Sequence, residues 1–372
     1  MKAAFLVRTF DVGGSERQLV ALTQGLVARG HRALVAVLEG GGTLVPDLRA
    51  ANVTVCEATA HGIRELPVRL PSLVATLRRW RPDVLHAYLP FANVLAPALR
   101  PLLRGTPIVF GIRVVAPERD PGDPRVRALY RAETIAARFA DAVIANSDAA
   151  RAHVVDRGFP AGRVHVVPNG IDTERFRFDA TERARVRADW SIGDGEVLVG
   201  RVGRMRPNKG YDMFLHAATV AASRCPALRF VCVGDGPQRA ELESLARSLD
   251  LDGQLVWAGE RSDMTAVMSA LDIMVSSSRV ESFPNVIGEA MACGVPCVVT
   301  DAGDSAGIVG DTGLVVPPGD QGGLGNAIVE LAARPPPGRE ALRARVEAKF
   351  GVEAMVTQTE QVLETVVRSR ST

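Results

Sequence analysis

Short continuous runs of Val, Ile, Leu and Ala recur along the chain, separated by longer stretches of mixed polarity. In the first half they fall at 3–7 (AAFLV), 33–38, 53–56, 83–87, 107–112, 142–147 and 164–168, and 15–29 reads as the first helix. Runs that do not alternate with polar residues are the mark of strands covered on both faces, and a parallel sheet with crossover helices follows. The rhythm breaks over 171–194, a polar, arginine-rich stretch. It restarts at 197–203, 229–234, 255–259, 272–278, 296–300 and 313–317. Pro335-Pro336-Pro337-Gly338 punctuates the end, and helical segments at 339–349 and 352–368 close the chain. The pattern predicts an α/β protein of two doubly wound, Rossmann-like parallel-sheet domains. The first covers 1–170, a linker 171–194, the second 195–348, and 349–372 forms a C-terminal helix. Ligands of open parallel sheets lie beyond the carboxyl ends of the strands, so the loops there, facing a central cleft between two domains, are the expected seat of chemistry.

Composition adds boundaries to this picture. A chain of 372 residues suits two domains of ordinary size, and 47% apolar with 23% charged residues is a common globular balance. No uncharged apolar run reaches the ~18 residues of a membrane span. The N-terminus meets Arg8 too early for the apolar core of a signal peptide, so a cytoplasmic location is expected. Cys56, Cys225, Cys232, Cys293 and Cys297 form no C-x-x-C pair, which favours reduced thiols. Residues 1–170 hold 22 Lys and Arg against 14 Asp and Glu, whereas the remainder holds 22 against 28. The basic half reads either as a face for an anionic membrane surface or phosphorylated acceptor, or as a solvated arginine-rich surface. No compact basic-aromatic module argues for nucleic acid.

Several strand-end motifs carry candidate chemistry. Gly13-Gly14 opens the first helix and lets a ligand approach the backbone, but the full dinucleotide fingerprint is missing. The loop G-R-M-R-P-N-K-G (203–210) gathers Arg204, Arg206 and Lys209. With three lysines and 41 arginines in the chain, a lysine in that loop points to selection for a point charge, such as a diphosphate contact. Arg261 lies on another strand-end loop, where Ser262-Asp263 forms a plausible helix cap. Asp250-Leu251-Asp252 has the letters of a metal motif but falls in a turn, and no metal is assigned to it. His86 ends an apolar strand, as either a structural or an active-site histidine. In E-S-F-P-N-V-I-G-E (281–289), Pro284 suits a first helical turn, Glu281 precedes the helix and Glu289 lies inside it. The amides of Phe283, Asn285 and Val286 would offer an anion or hydroxyl site, and each carboxylate suits a pair of sugar hydroxyls.

V-P-N-G-I-D (167–172), G-R-M-R-P-N-K-G, E-S-F-P-N-V-I-G-E-A-M-A-C-G-V-P-C-V-V-T and T-G-L-V-V-P-P-G-D together resemble the retaining GT-B glycosyltransferases of family 4. The resemblance implies an acceptor-side first domain, a donor-binding second domain and a C-terminal helix returning to the first. It implies that Arg204 and Lys209 bind the donor diphosphate, with Gly13 and Gly14 against it from the other domain. Glu289 would take the ribose, Glu281 the transferred sugar beside the Phe283-Pro284-Asn285-Val286 backbone, and Arg261 would help frame the donor. His86 would line the reaction centre; Tyr88 replaces a second histidine frequent in the family. The expected reaction moves a sugar from an NDP-sugar, UDP favoured over GDP, to a saccharide, lipid-linked or polysaccharide-precursor acceptor. Fixed cations and helix amides can neutralise the leaving diphosphate, so no metal and no other cofactor are expected. An epimerase on the same scaffold and a non-catalytic nucleotide-sugar binder are the competing readings.

Overall fold

The structure is a computed structural model that describes every residue except Val12, 59–64, 116–122, 335–337 and 371–372. The proline run at 335–337 therefore lies outside the described residues. The chain forms two compact units, Met1–Gly170 with Val352–Thr372, and Ile171–Gly351.

The first unit holds seven strands: β1 (Lys2–Val7), β2 (Arg32–Val37), β3 (Thr54–Glu57), β4 (Val84–Tyr88), β5 (Ile108–Ile112), β6 (Ala142–Ala145) and β7 (Val164–Val166). They are parallel throughout, in the order β3-β2-β1-β4-β5-β6-β7. The continuous apolar runs are explained by two cores, one on each face. Ala4, Leu6, Leu34 and Leu85 point into one, and Ala3, Phe5, Val35 and Val84 into the other. Strand order reverses between β1 and β4, a topological switch point.

Helix Val352–Arg368 belongs to this first unit. Its Met355, Val356, Thr359, Leu363 and Val366 form a buried stripe at helical spacing, and it packs on helix Gly14–Ala28. The approach is close enough to require glycine: a Cβ on Gly25 would lie 2.4 Å from Val356. Arg29 pairs with Glu353 and Glu360 at the edge of this contact.

The second unit repeats the plan with β8 (Val197–Val202), β9 (Leu228–Val233), β10 (Leu255–Gly259), β11 (Ile273–Ser276), β12 (Cys297–Thr300) and β13 (Leu314–Val316). Its order is β10-β9-β8-β11-β12-β13, again parallel, with the switch between β8 and β11.

The expected linker at 171–194 is instead an integral part of this unit. Asp179 caps helix Ala180–Asp189, accepting from the amides of Thr181 and Glu182 at 2.9 and 3.0 Å. Val186 enters the core, while Arg183 and Arg187 reach Asp272 at 2.6 and 2.8 Å and bond carbonyls of residues 269–271. The arginines that made the stretch look solvated are what fasten it. The unit also runs past the expected end at 348. Ile171 donates its amide to the Phe350 carbonyl at 2.7 Å, and helix Arg339–Phe350 lies wholly within the unit. Among the described residues no helix is long and apolar enough to cross a membrane.

Candidate active site

In the second unit, β8 leads through residues 203–206 into a turn at Pro207–Lys209 and then helix Tyr211–Arg224. Gly210 closes that turn at φ +61°, and a Cβ there would lie 2.0 Å from the Ser277 carbonyl. The loop is thus pressed against the residues that follow β11, and only glycine permits the contact.

Beneath it lies Arg201, 1% exposed and stacked over Tyr211. Its guanidinium donates to the carbonyls of Val202 and Lys209, both at 2.7 Å, to Ser278 Oγ at 3.0 Å and to Ser277 Oγ at 3.2 Å. One buried cation therefore holds both segments that carry the candidate residues. Lys209 Nζ donates to Glu281 Oε1 at 2.7 Å, and Ser278 Oγ donates to the same oxygen at 2.8 Å. Residues 72 apart in sequence meet here as an ion pair. Among the described residues nothing donates to Glu281 Oε2, so that oxygen keeps its acceptor capacity. Arg204 is exposed, and its guanidinium makes no hydrogen bond or ion pair among the described residues.

Glu281 and Glu289 belong to different segments. Helix Asn285–Ala292 carries the half-buried Glu289 one turn in from its start. Pro284 is the residue before this helix rather than in its first turn, because its carbonyl already accepts from Ile287 at 3.1 Å. Asn285 and Val286 open the helix. Phe283 is buried against Phe350, with ring centroids 5.6 Å apart, and anchors the approach to the helix. Burial pushes the Cys293 thiol up to about 12, so it is not a thiolate ligand at neutral pH.

One expectation needs correction here. Arg261 grips Asp263 with a fork of bonds at 2.8 and 2.6 Å and packs near Trp190. Asp263 accordingly does not cap helix Met264–Ala270; Arg261, with help from Arg185 at 3.0 Å, holds its carboxyl down at about 2. The Asp250–Asp252 acids lie in the turn after helix Arg239–Ser248, where Leu251 is buried. Among the described residues the one cluster with metal-ligand proximity is His31, Glu360 and Glu364, where Glu360 is already paired with Arg29.

In the first unit Gly13 precedes helix Gly14–Ala28 in an extended conformation. The Glu16 carboxylate folds back over it, 2.2 Å from where a Cβ on Gly13 would be. The helix start is therefore covered by the chain's own anion, as in a capping box. His86 lies inside β4 and not at its end, because the strand continues through Ala87 to Tyr88, which pairs with Gly111. It is fully buried between Phe5 and Tyr88, and neither ring nitrogen has a partner. Burial, then the nearby Arg113, drives its pKa well below the ordinary value, so it is neutral.

Two sequence models match the chain. One, Glycosyltransferase Family 4, covers residues 12–175, and the other, glycosyl transferases group 1, covers 196–334. The chain belongs to the family 4, group 1 glycosyltransferases. Among similar proteins, the lipopolysaccharide core biosynthesis glycosyltransferase LpsE of Rhizobium meliloti (strain 1021) is 29% identical over 93% of this chain and 92% of its own. A GDP-mannose-dependent alpha-mannosyltransferase of Mycobacterium tuberculosis (strain CDC 1551 / Oshkosh) is 29% identical over 86% of this chain and 85% of its own. The crystal structure of Anabaena Alr3699/HepE in complex with UDP superposes with a TM-score of 0.85 at 25% identity, covering 98% of this chain and all of that one. These two Rossmann-like units are those of the GT-B glycosyltransferases.

Sequence reasoning missed Arg201, Ser277 and Ser278 in this glycosyltransferase, and Arg113 with Asn169 in the first unit. A signal was present: Arg201 interrupts an apolar strand run, Arg113 directly follows one, and Ser276-Ser277-Ser278 ends another. Polar residues in such places are retained only with partners.

Proposed function

We propose that this glycosyltransferase moves a sugar, with retention of anomeric configuration and without a metal ion, from a nucleoside-diphosphate sugar to a saccharide, lipid-linked or polysaccharide-precursor acceptor. UDP is the favoured nucleotide. The observation that carries the reading is the Lys209–Glu281–Ser278 cluster, in a unit whose neighbouring segments also carry the exposed Arg204 and the start of helix Asn285–Ala292. The exposed Arg204 guanidinium and Lys209 take the diphosphate; Glu289 takes the ribose hydroxyls. Glu281, steadied by Ser278, accepts from hydroxyls of the transferred sugar through its second oxygen. As the bond from C1 to the phosphate oxygen breaks, negative charge grows on the diphosphate and the two cations neutralise it. The acceptor oxygen bonds C1 on the same face, and its proton passes to the departing phosphate oxygen, so no separate base is required.

The first unit receives the acceptor. An anionic membrane surface suits helix Pro124–Ala136 and the residues after it. Arg125, Arg127, Arg131 and Arg138 are exposed there alongside Ile135 and Phe139, 57% and 54% exposed. The acidic residue within that helix, Glu133, is buried against Arg157 and Asn93.

Thermal denaturation across UDP, GDP and their sugars, with and without EDTA, tests the reading. A nucleotide at ~100 times its dissociation constant adds about 2.7 kcal/mol. No stabilisation by any nucleotide, or stabilisation abolished by EDTA, would sink it. Donor incubated without acceptor separates transfer from epimerisation, which alone would convert the sugar.

A further inference from the structure

Arg113 follows β5 by one residue, at the carboxyl end of the first unit's sheet, and is 5% exposed. Its Nη2 donates to Tyr88 Oη at 2.9 Å and its Nη1 to Asn169 Oδ1 at 3.1 Å, while the plane lies over the Tyr88 ring. Its Nε has no partner, and among the described residues no carboxylate pairs with it. The other deeply buried arginines are better served. Arg187 has Asp272, and Arg201 has two carbonyls and two hydroxyls.

Among the described residues, the groups around Arg113 supply no compensating charge. Burial raises the Tyr88 phenol and keeps it protonated. His86, driven neutral, has two idle ring nitrogens at the Tyr88 ring face. Asn169 is uncharged. A buried guanidinium among neutral partners is costly, and a site that keeps one is built for an anion that comes from elsewhere. Two of its five N–H groups are used by these bonds, so donor capacity for an oxyanion is left over.

We propose that Arg113, oriented by Tyr88 and Asn169 beside His86, is the binding residue for an oxyanion carried by the acceptor, a phosphate ester or a carboxylate. This rests on the reading that the first unit receives the acceptor, and it narrows the acceptor to an anionic class. The donor's diphosphate has the same chemistry, but Arg204 and Lys209 already serve it.

The test is calorimetric titration of the full chain with inorganic phosphate, D-glucuronate and neutral D-glucose, each with and without saturating UDP. It compares the unaltered protein with Arg113→Gln, Arg113→Lys and Lys209→Ala, each checked for an unchanged circular dichroism spectrum. The expected result is saturable binding of phosphate or glucuronate, but not glucose, in the presence of UDP. That binding weakens at least tenfold in R113Q, recovers in part in R113K and persists in K209A, while UDP affinity in R113Q stays within twofold. Equal anion binding in R113Q and the unaltered chain overturns the proposal, as does no saturable anion binding at all. A tenfold loss of UDP affinity in R113Q overturns it too, by giving Arg113 to the donor. A chain that binds anions through Arg113 but never binds UDP would leave this site standing and remove the donor reading instead.

Discussion

Two strand-end cations, Lys209 in the second unit and Arg113 in the first, are held in opposite ways. In the second, several cations are matched, Lys209 with Glu281, Arg261 with Asp263, and Arg279 with Asp212 at 2.5 Å, while Arg204 stands exposed. In the first, Arg113 is buried with neutral partners only among the described residues. A matched lysine is held in place, but it must share or exchange its carboxylate when an anionic ligand arrives. An unmatched arginine has nothing to exchange, and its cost is carried by the fold until the ligand comes. The difference teaches that a perturbed or unsatisfied group and a neat ion pair can serve the same kind of ligand by different routes.

The largest expected effect breaks the matched side. Lys209→Ala and Glu281→Ala should each lower turnover about 10²–10³-fold, the scale seen on loss of one transition-state contact. Because the two side chains act as a unit, the double variant should lose little more than either single, which steady-state kinetics on all three would read. Full additivity would show that the pair is incidental.

Stability contrasts the two buried arginines next. Arg201→Met strands two carbonyls and two hydroxyls and should cost about 3 kcal/mol. Arg113→Met removes a charge that no carboxylate pairs among the described residues, and it should stay within about 1 kcal/mol of the unaltered chain. Urea denaturation of both measures the contrast, and equal losses would erase it.

The strand pattern was largely legible before the fold was known. All thirteen strands coincide with apolar runs, because a sheet covered on both faces leaves no room for polar alternation. Residues 171–194 were misread because arginine counts as solvated in any composition argument, whereas Arg183 and Arg187 end on Asp272 and on carbonyls. With 41 arginines in the chain, nothing in the letters separates these from the exposed ones. The loop motifs at 203–210 and 281–289 were visible, but their junction through Lys209 and Glu281 spans 72 positions and exists only in three dimensions. Glu16 covering Gly13 could have been read from the spacing of a capping box.

A smaller effect is expected from His86. It ionises near the ordinary value when unfolded but stays neutral when buried, so the unfolded chain binds more protons below that pH. Its contribution is complete above about pH 6.5 and declines as the pH falls, by at most about 1.4 kcal/mol per unit. His86→Phe should therefore flatten the acid limb of stability below about pH 6.5, seen as a narrowing gap in melting temperature. A constant gap between the two proteins would contradict a neutral His86. The smallest effect belongs to the Arg261 pair, which is partly exposed. Asp263→Asn should cost under about 1 kcal/mol and leave UDP affinity unchanged. Tighter UDP binding in that variant would mean that Arg261, once released, joins the donor site.

The return of helix Val352–Arg368 to the first unit has a consequence for biosynthesis. The second unit needs nothing made after residue 351, whereas the first needs the segment that follows it. Until the last helix emerges, the face of helix Gly14–Ala28 around Gly25 lacks the Val356 that fills it, and the Arg29 side chain lacks Glu353 and Glu360. The unit translated first is thus the last to be finished, because its closing helix is made only after the whole of the second unit.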